Sequence, residues 1–116
     1  RTIVNFEIEF EHLLQRAIQF ANNMADHIFV LSIPDWGVTP FAEGSVRKKI
    51  AEEIDAFNAV CKAATEKFGT HFIDITLDQR TDGSKVEFLA ADTLHPSGRE
   101  YAKWAKKLAN AIITIL

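Results

Sequence analysis

The sequence predicts an α/β fold in the order helix, strand, helix, strand, loop, helix, with its two strands parallel. Three observations carry this. Apolar residues recur at spacings of three and four along three long stretches, the mark of amphipathic helices. A short apolar run within 27–33 lacks polar alternation and suits a strand covered on both faces, and a second strand follows at 70–75. A strand, helix and strand in succession imply a right-handed parallel crossover.

The 116 residues suffice for one small domain and not for two. Residues 1–116 therefore read as a single domain, and as an incomplete one. The first helix has no strand before it, and a two-stranded sheet would leave both edges open to pairing. The pattern is that of the second half of a doubly wound domain.

Asn5 is the expected cap of the first helix. Phe6, Phe10, Leu13, Leu14, Ala17, Ala21 and Met24 form its apolar face, and Asn22-Asn23 with Asp26 end it. Pro34 stops the first strand, since proline cannot donate to a ladder. Residues 35–41, Asp-Trp-Gly-Val-Thr-Pro-Phe, then form a loop at the strand's carboxyl end, where open α/β sheets hold ligands. Trp36 is a candidate wall of a substrate pocket; the competing reading is an aromatic that covers the sheet.

Ser45 is the expected cap of the second helix, with Val46, Ile50, Ile54, Phe57, Cys61, Ala64 and Phe68 as its buried stripe and Gly69 as its stop. The charges at 47–53 read as an exposed face of paired signs rather than a binding patch. His71 reads as a strand-end residue and Asp74 as the cap of a loop amide, with a site role as the alternative for each. Residues 76–91 read as a long irregular connection with a turn at Asp82-Gly83, of the kind that is often functional or mobile. Ser97-Gly98-Arg99-Glu100 has the form of a capping box opening the last helix, whose stripe is Tyr101, Trp104, Ala105, Leu108, Ile112 and Ile115.

Composition narrows the function. Hydrophobic residues make up 47% and charged residues 25%, the balance of a soluble globular domain. The net charge of −3 comes with scattered lysines, which argues against nucleic acid. No apolar run approaches the roughly 20 residues of a membrane helix. Cys61 is the single cysteine and reads as a packed core thiol. One cysteine fits a cytoplasmic or an exported location alike. No cysteine-histidine spacing suggests a metal, and no glycine-rich phosphate loop suggests a nucleotide, so no cofactor is expected.

The chemistry concentrates in residues 91–98, Ala-Asp-Thr-Leu-His-Pro-Ser-Gly. Asp92 lies three positions before His95 in a loop that ends at a helix start. A carboxylate there can hold the proton on one ring nitrogen and leave the other free as a base. This is two thirds of a nucleophilic triad. Among the serines, Ser32 falls in a strand, Ser45 and Ser97 read as caps, and Ser84 sits in a Gly-Ser turn. None is a credible nucleophile.

Several stretches converge on one family. Residues 30–41 (Val-Leu-Ser-Ile-Pro-Asp-Trp-Gly-Val-Thr-Pro-Phe), 53–58 (Glu-Ile-Asp-Ala-Phe-Asn), 72–76 (Phe-Ile-Asp-Ile-Thr) and 89–102, which contain Asp92-Thr93-Leu94-His95-Pro96, resemble the C-terminal half of SGNH (GDSL-type) hydrolases. The resemblance covers essentially the whole chain, and the D-x-x-H-P element is its most specific part. It implies a flavodoxin-like three-layer fold and ester hydrolysis without metal or organic cofactor. By resemblance His95 is the general base and Asp92 the acid that orients it. The family's G-D-S serine, its glycine and its asparagine have no match here. Arg1-Thr2 resembles the residues that follow the asparagine block, so the chain is expected to begin just past it.

The expected function is thus the C-terminal part of a serine ester hydrolase, inactive by itself. Its expected partners are a small-molecule ester in the intact enzyme and either the missing N-terminal half or a second copy of the chain. The alternative is a non-catalytic fragment that self-associates through its open sheet edge.

Overall fold

The computed structural model describes residues 2–116; Arg1, part of the resemblance just given, lies outside them. The chain forms two compact units. One joins the stretch up to Ser32 to Asp55–Asp74, and the other joins Ile33–Ile54 to Ile75–Leu116.

The first unit opens with helix α1 (Ile3–Phe20). Its cap is Thr2, not Asn5: the Thr2 hydroxyl accepts from the Asn5 amide at 3.1 Å, which places Asn5 inside the first turn as the donor. The helix ends where Asn22 and Asn23 take φ of 56° and 62°, the left-handed region that asparagine tolerates. Its apolar face is narrower than the sequence suggests. Leu14 is buried, whereas Leu13 is 65% and Met24 43% exposed. Adjacent helical residues point about 100° apart, so Leu13 and Leu14 cannot both centre on one contact. Phe6 meets Phe57 edge to face at 4.8 Å, and Leu14, Cys61 and Ala64 are the buried apolar residues of this unit. Burial pushes the Cys61 thiol up to about 11, which fits packing and not reactivity.

Strands β1 (Phe29–Leu31) and β2 (His71–Ile73) pair in parallel, with Val30 opposite Phe72. They are shorter than the stretches that predict them. Every strand residue is half-buried rather than covered on both faces, because the sheet holds only two strands among the described residues. His71 is a structural strand-end residue: its ring stacks on Phe29, and Nε2 lies 3.0 Å from the Asp26 carbonyl. Asp74 accepts from the buried Ser32 hydroxyl at 3.3 Å.

Helix α2 (Arg47–Lys67) contributes residues to both units. Its C-terminus behaves as predicted. Gly69 has φ of 72°, the Thr70 amide donates to the Thr65 carbonyl, and the Gly69 amide donates to Glu66. At its start, Ser45 is not the cap. The first helical acceptor is the Val46 carbonyl, and Val46 itself is 67% exposed. Ser45 is held one residue earlier, where its amide closes on Ala42 behind a 3₁₀ turn at Pro40–Ala42.

In the second unit, residues 76–91 are not an irregular loop. They contain helix α3 (Thr76–Asp82) and a 3₁₀ turn at Val86–Phe88. The residues that α3 buries are Thr76 and Gln79, both polar, so no apolar period marks it in the sequence. Helix α4 (Gly98–Ile115) starts after Ser97, but no capping box forms. The Ser97 hydroxyl donates to the Glu87 carbonyl at 2.7 Å. Glu100 turns inward, 1% exposed, and accepts from Trp104 Nε1 at 2.6 Å and from Lys103 at 3.2 Å. The Ser97 amide that a capping box would offer the carboxylate is taken by the Phe88 carbonyl, and these charge-assisted side-chain bonds hold Glu100 instead. Ala42, Ile50 and Ile75 are the buried apolar residues of this unit.

Candidate active site

Asp92 and His95 meet as their spacing predicts, and the loop between them is fixed by its own backbone. Asp92 Oδ1 accepts from the amides of Leu94 and His95, each at 2.9 Å. Its Oδ2 pairs with His95 Nδ1. Thr93, between them, adopts φ of 60°, and this left-handed residue turns the chain tightly enough for one carboxylate to reach all three donors. The Thr93 amide donates to the Ala90 carbonyl at 3.0 Å, and the Ala90 amide donates to the His95 carbonyl at 2.8 Å, closing the loop. The Ser97 amide bonds the Phe88 carbonyl and ties the loop to the 3₁₀ turn before it.

The hydrogen bond from the His95 ring, then those from the His95 and Leu94 amides, hold the Asp92 carboxyl down at about 2. An ionised Asp92 is acceptor-only, so the hydrogen between the two groups belongs to His95 Nδ1. Nε2 makes no hydrogen bond to the described residues and is available as a base. The imidazole is 68% exposed.

Trp36 lies in the same unit, and the geometry brings it to His95. A cleft of about 440 Å³ is lined by Pro34, Trp36, Phe41, Leu94, His95 and Pro96. The Phe41 amide donates to the Thr93 carbonyl at 3.3 Å, linking the aromatic loop to the histidine loop. Trp36 and Phe41 meet edge to face, with centroids 6.5 Å apart.

What holds the Trp36 loop is a buried polar cluster that sequence reasoning missed. The Asp35 amide donates to Gln79 Oε1 at 2.8 Å, and Gln79 Nε2 donates back to the Asp35 carbonyl at 3.0 Å. The Asp35 carboxylate, 2% exposed, accepts from the Gly37 amide at 2.8 Å and from Arg80 Nε at 2.9 Å. Arg47, exposed as predicted, also sends its guanidinium to the carbonyls of Gly37 and Thr39. The Thr39 hydroxyl closes the turn on the Trp36 carbonyl at 2.6 Å. A buried carboxylate is tolerated only when paired and hydrogen-bonded, as Asp35 is. Asp35 stood in the quoted motif, but nothing in Gln79 or Arg80 announced partners so far away in sequence.

Two of the four serines hold to other tasks. Ser32 is buried on Asp74 and Ser97 donates to Glu87. No group of three or more histidine, cysteine or acidic side chains among the described residues could hold a metal ion. No described helix is long and apolar enough to cross a membrane.

No curated protein and no solved structure matches the chain. A family model does: the GDSL-like Lipase/Acylhydrolase family matches residues 3–103. That match spans most of the chain, including both loops of the cleft, and the chain belongs to this family of hydrolases.

Proposed function

We propose that the chain supplies the base and its orienting acid to a serine carboxylic ester hydrolase whose nucleophile lies outside these 116 residues. The observation that carries the reading is the Asp92–His95 pair, with Nδ1 committed to the carboxylate and Nε2 free beside an apolar cleft. In the intact site, His95 Nε2 takes the proton of the serine hydroxyl as its oxygen attacks the ester carbonyl. The tetrahedral intermediate collapses, and the same proton passes to the departing alkoxide. His95 then deprotonates water, which attacks the acyl-serine; the proton returns to the serine as the acid leaves. Asp92 keeps the productive tautomer and stabilises the imidazolium. Trp36 contacts the substrate. The three-layer sheet expected of the family would be completed by strands other than β1 and β2.

By itself the chain should turn over esters poorly, since nucleophile and oxyanion donors carry most of acyl-transfer catalysis. The test combines the chain with a segment bearing the G-D-S block and follows labelling by a fluorophosphonate. Labelling that requires His95 and falls sharply in His95→Ala supports the proposal. Brisk hydrolysis of a short p-nitrophenyl ester by the 116-residue chain alone would overturn it.

A second reading is a self-associating, non-catalytic fragment. It is favoured by the two-stranded sheet and by the exposure of Val4, Leu13 and Phe20 on α1, at 67%, 65% and 83%. A monomer by light scattering at high concentration would remove it.

A further inference from the structure

Helix α1 carries more apolar surface than its own unit covers. Ile3, Phe6, Phe10, Leu13, Ala17 and Phe20 recur at spacings of three and four along its whole length. That repeat is the seam by which one helix packs lengthwise on another. The unit uses one edge of it: Leu14 is buried, Phe6 meets Phe57, and Phe10 and Ala17 are half-buried. The other edge stays in solvent, where Leu13 and Phe20 are exposed, about two turns apart on one line.

The charges bordering that line are placed symmetrically. Glu9 lies one turn before Leu13 and Arg16 one turn after it, so both flank Leu13, and both are exposed. The point midway between His12 and Leu13 is equidistant from Glu9 and Arg16. A two-fold axis through that point, perpendicular to the helix, sets a second α1 antiparallel to the first. Leu13 then meets Leu13 across the axis, and Phe20 reaches Phe6 of the second copy. Each Glu9 comes level with Arg16 of the other copy, so opposite charges face each other twice along the rim. A parallel pair would instead set Glu9 against Glu9. The open sheet edge competes poorly, because β1 and β2 have three residues each and offer few ladder bonds.

We propose that this face of α1 is a homodimer interface, built on Leu13 and Phe20 and matched by Glu9 and Arg16 in antiparallel register. The proposal deepens the self-association reading, on which it rests, by naming the surface and its occupant. It uses no residue of the His95 cleft.

Sedimentation equilibrium of the purified 116-residue chain tests this. The unaltered chain should move from its own mass toward twice that mass as concentration rises to about 1 mM. Phe20→Glu should remain a monomer over the same range with an unchanged far-UV circular dichroism spectrum, because the side chain it replaces is exposed. Glu9→Arg and Arg16→Glu should each weaken association about tenfold, since the symmetry repeats every like-charge contact. Mixed in equal amounts, those two variants should pair with each other about as strongly as the unaltered chain pairs with itself.

Association that persists in Phe20→Glu, or charge variants that do not rescue each other, would overturn the interface and leave self-association through the sheet edge standing. An unaltered chain that stays monomeric throughout would sink both. One-for-one displacement of the second copy by a segment bearing the G-D-S block would assign the face to that segment, and would overturn the proposal as well.

Discussion

Gln79 and Asp35, forty-four positions apart, form a two-point pair: Gln79 Oε1 accepts the Asp35 amide at 2.8 Å, and Gln79 Nε2 donates to the Asp35 carbonyl at 3.0 Å. A side-chain amide here does what a neighbouring strand would do for an extended residue. Gln79 is 4% exposed, so water cannot replace it easily. Gln79→Ala should leave both backbone groups of Asp35 short of partners, at about 1–3 kcal/mol for each buried group. Urea unfolding should report a loss of about 2–4 kcal/mol, and the Trp36 fluorescence should shift with it. A change below about 0.5 kcal/mol, typical of neutral surface substitutions, would show that the pair is dispensable.

Two glycines separate space from conformation. A Cβ on Gly37 would stand 2.8 Å from Ile50 Cγ2 and 2.9 Å from the Asp35 carboxylate, both held in place. Gly37→Ala should therefore destabilise by about 1–3 kcal/mol through overpacking. Gly98, at the first turn of α4, has nothing within 4 Å of such an atom. Gly98→Ala should be neutral or stabilise by up to about 1 kcal/mol, by narrowing the unfolded ensemble. Thermal unfolding of the two variants should move in opposite directions or differ clearly in size.

Glu100 offers a direct contrast between two structural roles. As the distal partner of a capping box it would contribute little more than an exposed cap. Buried against Trp104 Nε1 and Lys103, it is an anchor for α4. Glu100→Ala should cost about 1–3 kcal/mol by stranding those donors and should alter Trp104 emission. Ser97→Ala should lower stability through the lost bond to Glu87 rather than through fraying of the helix, which amide exchange in the first turn of α4 would distinguish.

Acid should reach the histidine loop late. The Asp92 carboxyl lies at about 2 in the folded chain, below its ordinary value of 3.8. A folded value lowered in this way gives stabilisation that is complete above the unfolded value and is lost as pH falls through the folded one. The amide shifts of Leu94 and His95 should titrate together with a midpoint near 2. In Asp92→Asn that transition should be absent. A midpoint near 4 would mean that the three hydrogen bonds to Asp92 do not hold in solution.

The Asp92–His95 contact was legible from the sequence because a carboxylate and an imidazole three residues apart can meet through local geometry alone. The three long helices were legible from their apolar period, as were the Gly69 stop of α2 and the Ser97 start of α4, but not the hydrogen bonds at their N-termini. Asn5, Ser45 and Ser97 each have the chemistry of a cap, but an earlier threonine, a 3₁₀ turn and a carbonyl of the preceding turn claimed the relevant groups. Helix α3 was invisible because what it buries is polar. The clamp of Asp35, Gln79, Arg80 and Arg47 was invisible for a related reason: its partners are fixed by tertiary contact, and no spacing rule connects them.

The closed loop around His95 has a kinetic consequence. Bonds from Ala90 to His95, from Thr93 to Ala90, and from Leu94 and His95 to Asp92 fix the imidazole before any substrate or nucleophile arrives. Its rotational entropy is lost during folding, not in the reaction's activation step. A serine docking beside it would meet a preorganised base at high effective concentration, one source of the rate advantage of intramolecular chemistry. In the proposed enzyme, assembly of the two parts, not rearrangement of this loop, would then set the pace at which activity appears.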